Sequence, residues 1–133
     1  MMGFVEAMRL FVDDFSISQP NIKCHLDIGE LIVQPSQKQS TTLYRMFEST
    51  MSNVASHSKA SEVIISLHSV GNKLELEIAD NGVGFEYNGL KEHTAYGLML
   101  MRERTTLLNG EMFVNTAPGE GTTIKIVVPV GWV

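Results

Sequence analysis

Residues 73–84 read Lys73-Leu74-Glu75-Leu76-Glu77-Ile78-Ala79-Asp80-Asn81-Gly82-Val83-Gly84. Leu74, Leu76 and Ile78 alternate with polar neighbours, the pattern of a half-buried strand. Successive strand side chains point to opposite faces, so the same alternation turns Asp80 inward at the strand's end. A polar group buried without a partner costs roughly 2–7 kcal/mol, and a charge costs more. Asp80 therefore needs donors, and an amino group on a ligand is one such donor. Gly82 and Gly84 allow positive φ and let backbone come close to a bound molecule. Taken alone, the run also fits a tight loop in which Asp80 caps a turn. Its surroundings decide between the two.

Ahead of this strand (73–79), residues 62–68 form another, joined to it by a turn at Gly71-Asn72. Upstream again, Leu43, Met46, Phe47, Thr50 and Val54 make the apolar face of a helix over 39–58. Ile22, Cys24, Leu26 and Ile28 alternate as a strand, followed by a connector around Pro35. Phe4, Met8, Phe11, Val12 and Phe15 recur at helical spacing over 4–15, and Ser18-Gln19-Pro20-Asn21 breaks that helix. Downstream, 80–96 is long, glycine-bearing and mostly polar. A helix over 98–108 ends at Asn109-Gly110. Strands at 111–117 and 122–130 close the chain as a hairpin around Pro118-Gly119-Glu120-Gly121. This order predicts an α/β two-layer sandwich, a mixed β-sheet with about three helices on one face. An all-parallel doubly wound sheet would need a crossover between each pair of strands.

The chain has 133 residues, which suits a single domain spanning 1–133. Its formal net charge of -5 argues against sequence-independent nucleic-acid binding, which needs clustered Lys and Arg. One cysteine, Cys24, can form no intramolecular disulfide, which fits a reducing, cytoplasmic setting. No apolar run approaches the ~18–20 residues of a membrane helix, so no direct membrane contact is expected of this chain. Glu6 and Asp13-Asp14 rule out a signal-peptide pattern at the start. A parent protein could still be membrane-anchored elsewhere.

Three further segments could carry chemistry. Ser49, Asn53 and His57 are spaced four apart and share one face of the 39–58 helix. An amide facing a pocket can ligate Mg²⁺, which takes oxygen ligands and keeps several waters while bridging phosphates. The plain alternative is a solvated polar face. Gly97, placed at the start of the 98–108 helix, would leave amides free to meet phosphate oxygens, with the helix dipole adding to them. Arg102-Glu103-Arg104 reads as a solvated face. Thr122, Ile124, Ile126 and Val128 share one face of their strand, so Thr122 places a hydroxyl at the sheet end, where Asp80 or a bound base could accept from it.

In this order and spacing, the four elements resemble the ATP-binding fold shared by histidine kinases, type II topoisomerases, Hsp90 and mismatch-repair ATPases. More narrowly, the chain is similar to the catalytic domain of sensor histidine kinases of the nitrate/nitrite-sensor type. That family's L-Y-R-I-x-Q-E-A-L-T-N-x-x-x-H box reads here from Leu43-Tyr44-Arg45 to Asn53 and His57. Its D-x-G-x-G-F is Asp80 to Phe85, its G-L-x-x-M-R-E-R is Gly97 to Arg104, and its A-P-G-x-G-T-x is Ala117 to Thr123. The resemblance covers about residues 4–130. It implies that ATP and Mg²⁺ are bound. Asp80 would accept the adenine amino hydrogen, in a network with Thr122. Asn53 would ligate Mg²⁺, and His57 would join the ATP site. Gly82 and Gly84 would line the base and begin a lid over 86–96. Gly97 and Leu98 would contact the phosphate tail. It further implies a phospho-acceptor histidine domain and a response regulator as partners, with the dimerising, phospho-accepting helices absent from this chain. His25, His57, His68 and His93 have no phospho-acceptor context.

Three positions depart from the family. Its glutamate four residues before the asparagine is Ser49 here, and Glu48 takes the preceding position, roughly 100° around the helix. Glu48 is thus the candidate catalytic carboxylate, displaced from the usual place. Ala95 replaces a lid glycine, and Ser56 a basic residue before the histidine. Two other readings share the fold: a stand-alone anti-sigma-type serine kinase, and a nucleotide-binding regulatory module with weakened catalysis.

Overall fold

A computed structural model describes residues 3–86 and 92–132. Helix α1 (Phe4–Ser18) leads into strand β1 (Lys23–Ile28) and a short strand β2 (Val33–Gln34). Helix α2 (Gln37–Asn53) continues without a break into a π-helical turn, Val54–Ser58. Strands β3 (Glu62–Val70) and β4 (Lys73–Asp80) follow, then helix α3 (Glu92–Leu107) and strands β5 (Glu111–Thr116), β6 (Thr122–Pro129) and β7 (Gly131–Trp132).

The main sheet runs in the order β1-β3-β4-β6-β5. β1 pairs parallel with β3, and every other neighbouring pair is antiparallel. The predicted mixed sheet is therefore present. The parallel pair follows from connectivity, because α2 lies between β1 and β3 and supplies the crossover that parallel strands require. β2 and β7 form a separate small antiparallel ribbon. Nothing in the sequence had marked these two-residue strands.

One face of the sheet is apolar because each strand alternates. Val63, Ile65 and Leu67 of β3, Leu74, Leu76 and Ile78 of β4, and Ile124, Ile126 and Val128 of β6 are all buried. Against this face α1 packs Phe4, Met8, Val12 and Phe15, and α2 packs Leu43, Met46, Phe47 and Met51. Phe47 is wholly buried, worth roughly 1.5–3 kcal/mol as area removed from water. Phe11 meets it edge-on at 5.0 Å and also contacts Phe15 and Tyr44, so an aromatic cluster clamps α1 to α2.

The helix ends depart from expectation in physical detail. α2 starts two residues early because Ser36 and Gln39 form a reciprocal capping box: Gln39 N–H donates to Ser36 Oγ at 3.1 Å, and Ser36 N–H to Gln39 Oε1 at 2.8 Å. α3 starts six residues before the predicted 98, so Gly97 lies inside the helix rather than at its start. Nothing between Glu92 and Tyr96 breaks a helix, and an internal glycine costs it only about 1 kcal/mol. Of the lid predicted over 86–96, residues 87–91 lie outside the described residues, and 92–96 are helical.

Gly97 and Gly121 make opposite tests of this packing. A methyl group at Gly97 would meet nothing within 4 Å, whereas Gly121 has φ +73° and its added carbon would collide with the Asp80 carbonyl. Gly97→Ala should raise unfolding free energy by about 0.5–1 kcal/mol. Gly121→Ala should lower it by about 2 kcal/mol or more. Urea denaturation measures both, and equal effects would contradict the register at the end of β4.

Candidate nucleotide site

Sheet register assembles the site. Cys24, Val63, Asp80, Thr122 and Thr116 stand side by side across β1, β3, β4, β6 and β5. They form the last inward-facing row of the sheet. Apolar rows fill the core behind them, and this row opens at the edge, so its polar members face a cleft.

The loop after β4 is held by backbone contacts on two sides. Val83 N–H donates to the Ser58 carbonyl at 2.7 Å, and Gly119 N–H donates to the Val83 carbonyl at 2.6 Å. Asn81 faces away and fixes the start of β3: its Oδ1 accepts from the Ser61 and Glu62 amides, both at 3.0 Å. Gly82 lies against the Ser58 carbonyl, and Gly84, at φ +62°, against the Ala117 carbonyl. A Cβ at either would overlap backbone, so both close approaches require glycine.

Asp80 is half-buried at the mouth of β4. Its Oδ1 accepts the Gly82 amide at 2.8 Å. Burial raises its carboxyl pKa above the ordinary value, and the Gly82 and Thr122 amides oppose that rise. A carboxylate has about four acceptor positions, so two amides leave it capacity for another donor. The Thr122 hydroxyl does not have Asp80 as its partner. It shares a hydrogen bond with Thr116 Oγ1 at 2.9 Å. Thr116 also donates to the Gly121 carbonyl at 3.1 Å and accepts the Phe85 amide at 3.1 Å. Thr116 went unremarked in the sequence, although the hairpin register with Thr122 would have placed it here.

A cleft opens over this row. Asp80, Thr122, Ile78 and Ile124 line it from the sheet, and Thr50, Asn53, Val54, His57 and Ser58 from α2 and the π-turn. Gly84 and Phe85 come from the loop, and Leu98 from α3. Asn53, His57, Asp80, Gly84, Leu98 and Thr122 therefore line one cleft. Gly82 backs onto Ser58 instead of lining the cleft. Gly97 lines a second, outer cleft with Glu48, Ser49, Ser52, Asn53, Leu100, Met101 and Arg104. Its amide lies past the unpaired first turn of α3, so Gly97 does not stand at the helix start expected from the sequence.

The π-turn has a local cause and a consequence. Ser58 Oγ donates to the Val54 carbonyl at 2.7 Å and accepts the Ala60 amide at 3.1 Å, and Lys59 ends the turn at φ 54°. A π-turn rotates the following side chains relative to an unbroken helix, so His57 does not simply continue the Asn53 face. Asn53 and His57 are both exposed, at the mouth of the cleft. A single Asn53 amide oxygen fits a Mg²⁺ that takes the rest of its shell from phosphates and water. Among the described residues, no three His, Cys, Asp or Glu side chains cluster as a metal site of their own.

Since burial lifts the Asp80 pKa, the folded state holds that proton more tightly than the unfolded chain. Its contribution to stability is present below the ordinary Asp value of about 3.9 and is lost as pH rises through the folded value. At neutral pH the ionised group therefore costs stability. Asp80→Asn, whose oxygen can still accept the Gly82 amide, should be more stable than the parent at pH 7. The gain should shrink as the pH falls toward 4. Destabilisation at every pH would show that the charge itself holds the loop.

The described residues contain no helix long and apolar enough to cross a membrane. Comparison with known proteins agrees with the geometry. The chain is 34% identical over 128 residues to the sensor histidine kinase LiaS of Bacillus subtilis (strain 168), covering 96% of this chain and 34% of that protein. It is 31% identical over 133 residues to the signal transduction histidine-protein kinase/phosphatase DegS of the same organism, covering 97% and 34%. The chain thus spans about a third of these relatives' length. Among solved structures, the mycobacterial sensor histidine kinase MprB superposes with a TM-score of 0.76 at 19% identity, over 99% of this chain and 97% of that one, which shows the shared fold. A family model described as histidine kinase-, DNA gyrase B-, and HSP90-like ATPase matches residues 38–131. The chain belongs to that ATPase family, in the form that histidine kinases carry.

Proposed function

We propose that this chain is the ATP-binding catalytic domain of a two-component sensor histidine kinase of the nitrate/nitrite-sensor type. The observation that carries the reading is Asp80. Its half-buried carboxylate stands on the floor of a cleft whose apolar walls include Ile78, Ile124, Leu98 and Phe85. A flat base suits apolar walls, and an exocyclic amino group suits the remaining acceptor capacity of Asp80. The Thr116–Thr122 hydroxyl pair holds the floor beside it in one geometry.

In this reading Asn53 faces the phosphates and would hold Mg²⁺, which on binding would neutralise phosphate charge. The chain's own residues orient the base, exclude water along the apolar walls and position the phosphate tail. Positioning and charge neutralisation are the main tasks in phosphoryl transfer. The acceptor would be a histidine on a helical dimerisation domain outside this chain, and a response regulator would take the phosphoryl group next. Relatives named as sensor histidine kinases favour this over an anti-sigma-type serine kinase.

ATP–Mg²⁺ at about 100 times its Kd should add about 2.7 kcal/mol to stability and raise Tm by several degrees. Asp80→Asn should lose that shift while keeping its fold. No shift for the parent chain at millimolar ATP would sink the nucleotide reading.

Catalysis hinges on α2. Glu48 and Ser49 are both exposed, and neither lines the Asp80 cleft. Glu48 lines the outer cleft with Ser49 and Asn53, one position before the place where the family keeps its carboxylate. Ser49→Glu should therefore speed transfer to a histidine-bearing acceptor domain by about 100-fold, the usual scale of general base catalysis. Glu48→Gln should abolish the parent's residual transfer. Acid-labile, base-stable phosphate on the acceptor distinguishes histidine from serine transfer, and an unchanged rate in Ser49→Glu would remove Ser49 as the weak point.

A further inference from the structure

We propose that Arg104 receives the terminal phosphoryl group of the nucleotide in the outer groove between α2 and α3. This rests on the reading of the Asp80 cleft as the base site. The two clefts meet at Asn53, which lines both. A ligand with its base at Asp80 and its tail running past Asn53 enters the outer groove. There α2 presents the hydroxyls of Ser49 and Ser52, and α3 presents Gly97, Leu100, Met101 and Arg104 at helical spacing.

Arg104 was expected on a solvated face with Arg102 and Glu103. The structure separates the two arginines. Arg102 turns to the hairpin and donates to the Met112 carbonyl at 2.9 Å. Arg104 is partly buried, and among the described residues its side chain makes no hydrogen bond or ion pair. Glu48 is the one carboxylate among the groove's lining residues, and it does not come within ion-pair distance of Arg104. A guanidinium without a counter-charge favours an incoming anion, and its planar fork matches phosphate oxygens two at a time.

The spacing selects the terminal group. Leu98 walls the base cleft, and Arg104 is six residues further, about 9 Å along the helix axis. A tail extended along α3 brings its far end toward Arg104. Gly97, on the groove side of α3, leaves room there, since an added methyl group would meet nothing within 4 Å. A diphosphate nucleotide ends one phosphoryl group short, so Arg104 distinguishes ATP from ADP.

Calorimetric titration of the intact chain with ATP–Mg²⁺ and ADP–Mg²⁺ tests this. Arg104→Met should weaken ATP binding about tenfold or more and change ADP binding less than twofold, as expected for loss of a hydrogen bond to a charged group. Arg104→Lys, which keeps the charge but not the fork, should lose about threefold for ATP alone. It carries the comparison if the Met variant fails to fold. An equal loss for both nucleotides would make Arg104 merely structural and overturn the proposal, as would no loss for either. If the parent chain bound neither nucleotide, the base-site reading would fail first and this one with it.

Discussion

Gly121 lies against the carbonyl of Asp80 with no room for a side chain, and that contact governs the site. It joins the β5–β6 turn to the last residue of β4. Gly84 repeats the arrangement against Ala117, and Gly82 against Ser58. Backbone from the end of α2, from the loop after β4 and from the hairpin turn thus meets at one point, without side chains between. Asp80 is fixed to within the tolerance of those contacts. A carboxylate at this depth is useful only if its direction is fixed, because a loose one would turn to water.

The sheet explains why this point is also the edge of the core. Rows of Ile, Leu and Val run across the buried face until the row of Cys24, Val63, Asp80, Thr122 and Thr116. α2 covers the apolar rows and then ends, through a π-turn, just where the polar row begins. The cleft is therefore the gap left when the covering helix stops before the sheet does. Its walls are core residues such as Ile78 and Ile124, and its floor is polar. α3 closes the other side and separates an inner cleft, walled by Leu98, from an outer groove lined by Gly97 and Arg104. Two buried threonines of these helices face methionines across the contact: Thr50 Oγ1 lies 3.9 Å from Met101 Sδ, and Thr105 Oγ1 lies 3.4 Å from Met46 Sδ. Each hydroxyl also bonds a carbonyl one turn back, so both buried threonines at the α2–α3 contact are satisfied.

Much of this was legible in the sequence. Period-2 alternation through Leu74, Leu76 and Ile78 set the face of β4 and so the direction of Asp80. The turns at Gly71-Asn72 and Gly119-Glu120-Gly121 set the two hairpins. Register then carries the inward face from Asp80 to Thr122 and on to Thr116, a step that strand pairing implies but that single-strand patterns do not show. What stayed hidden depended on tertiary balance. The start of α3 among residues 92–97 has no strong cap or breaker, so propensity alone does not choose between helix and loop. The π-turn at Val54–Ser58 ends on a contact from outside the helix, the Ser58 carbonyl accepting the Val83 amide, which no local pattern announces. Arg102 and Arg104 look alike in sequence, and only the packing of α3 between hairpin and α2 gives them different surroundings.

Backbone amide NMR of the isolated chain on adding ATP–Mg²⁺, with GTP–Mg²⁺ in parallel, tests the central claim most directly. If Asp80 reads the base through an amino group, ATP shifts the amides of Asn53, Asp80, Gly84, Leu98 and Thr122. GTP, which presents a carbonyl at that position, leaves them unmoved, because an acceptor facing a carboxylate leaves both unpaired. Equal shifts with both nucleotides, or shifts confined to the α1–α2 surface, would contradict a base site at Asp80.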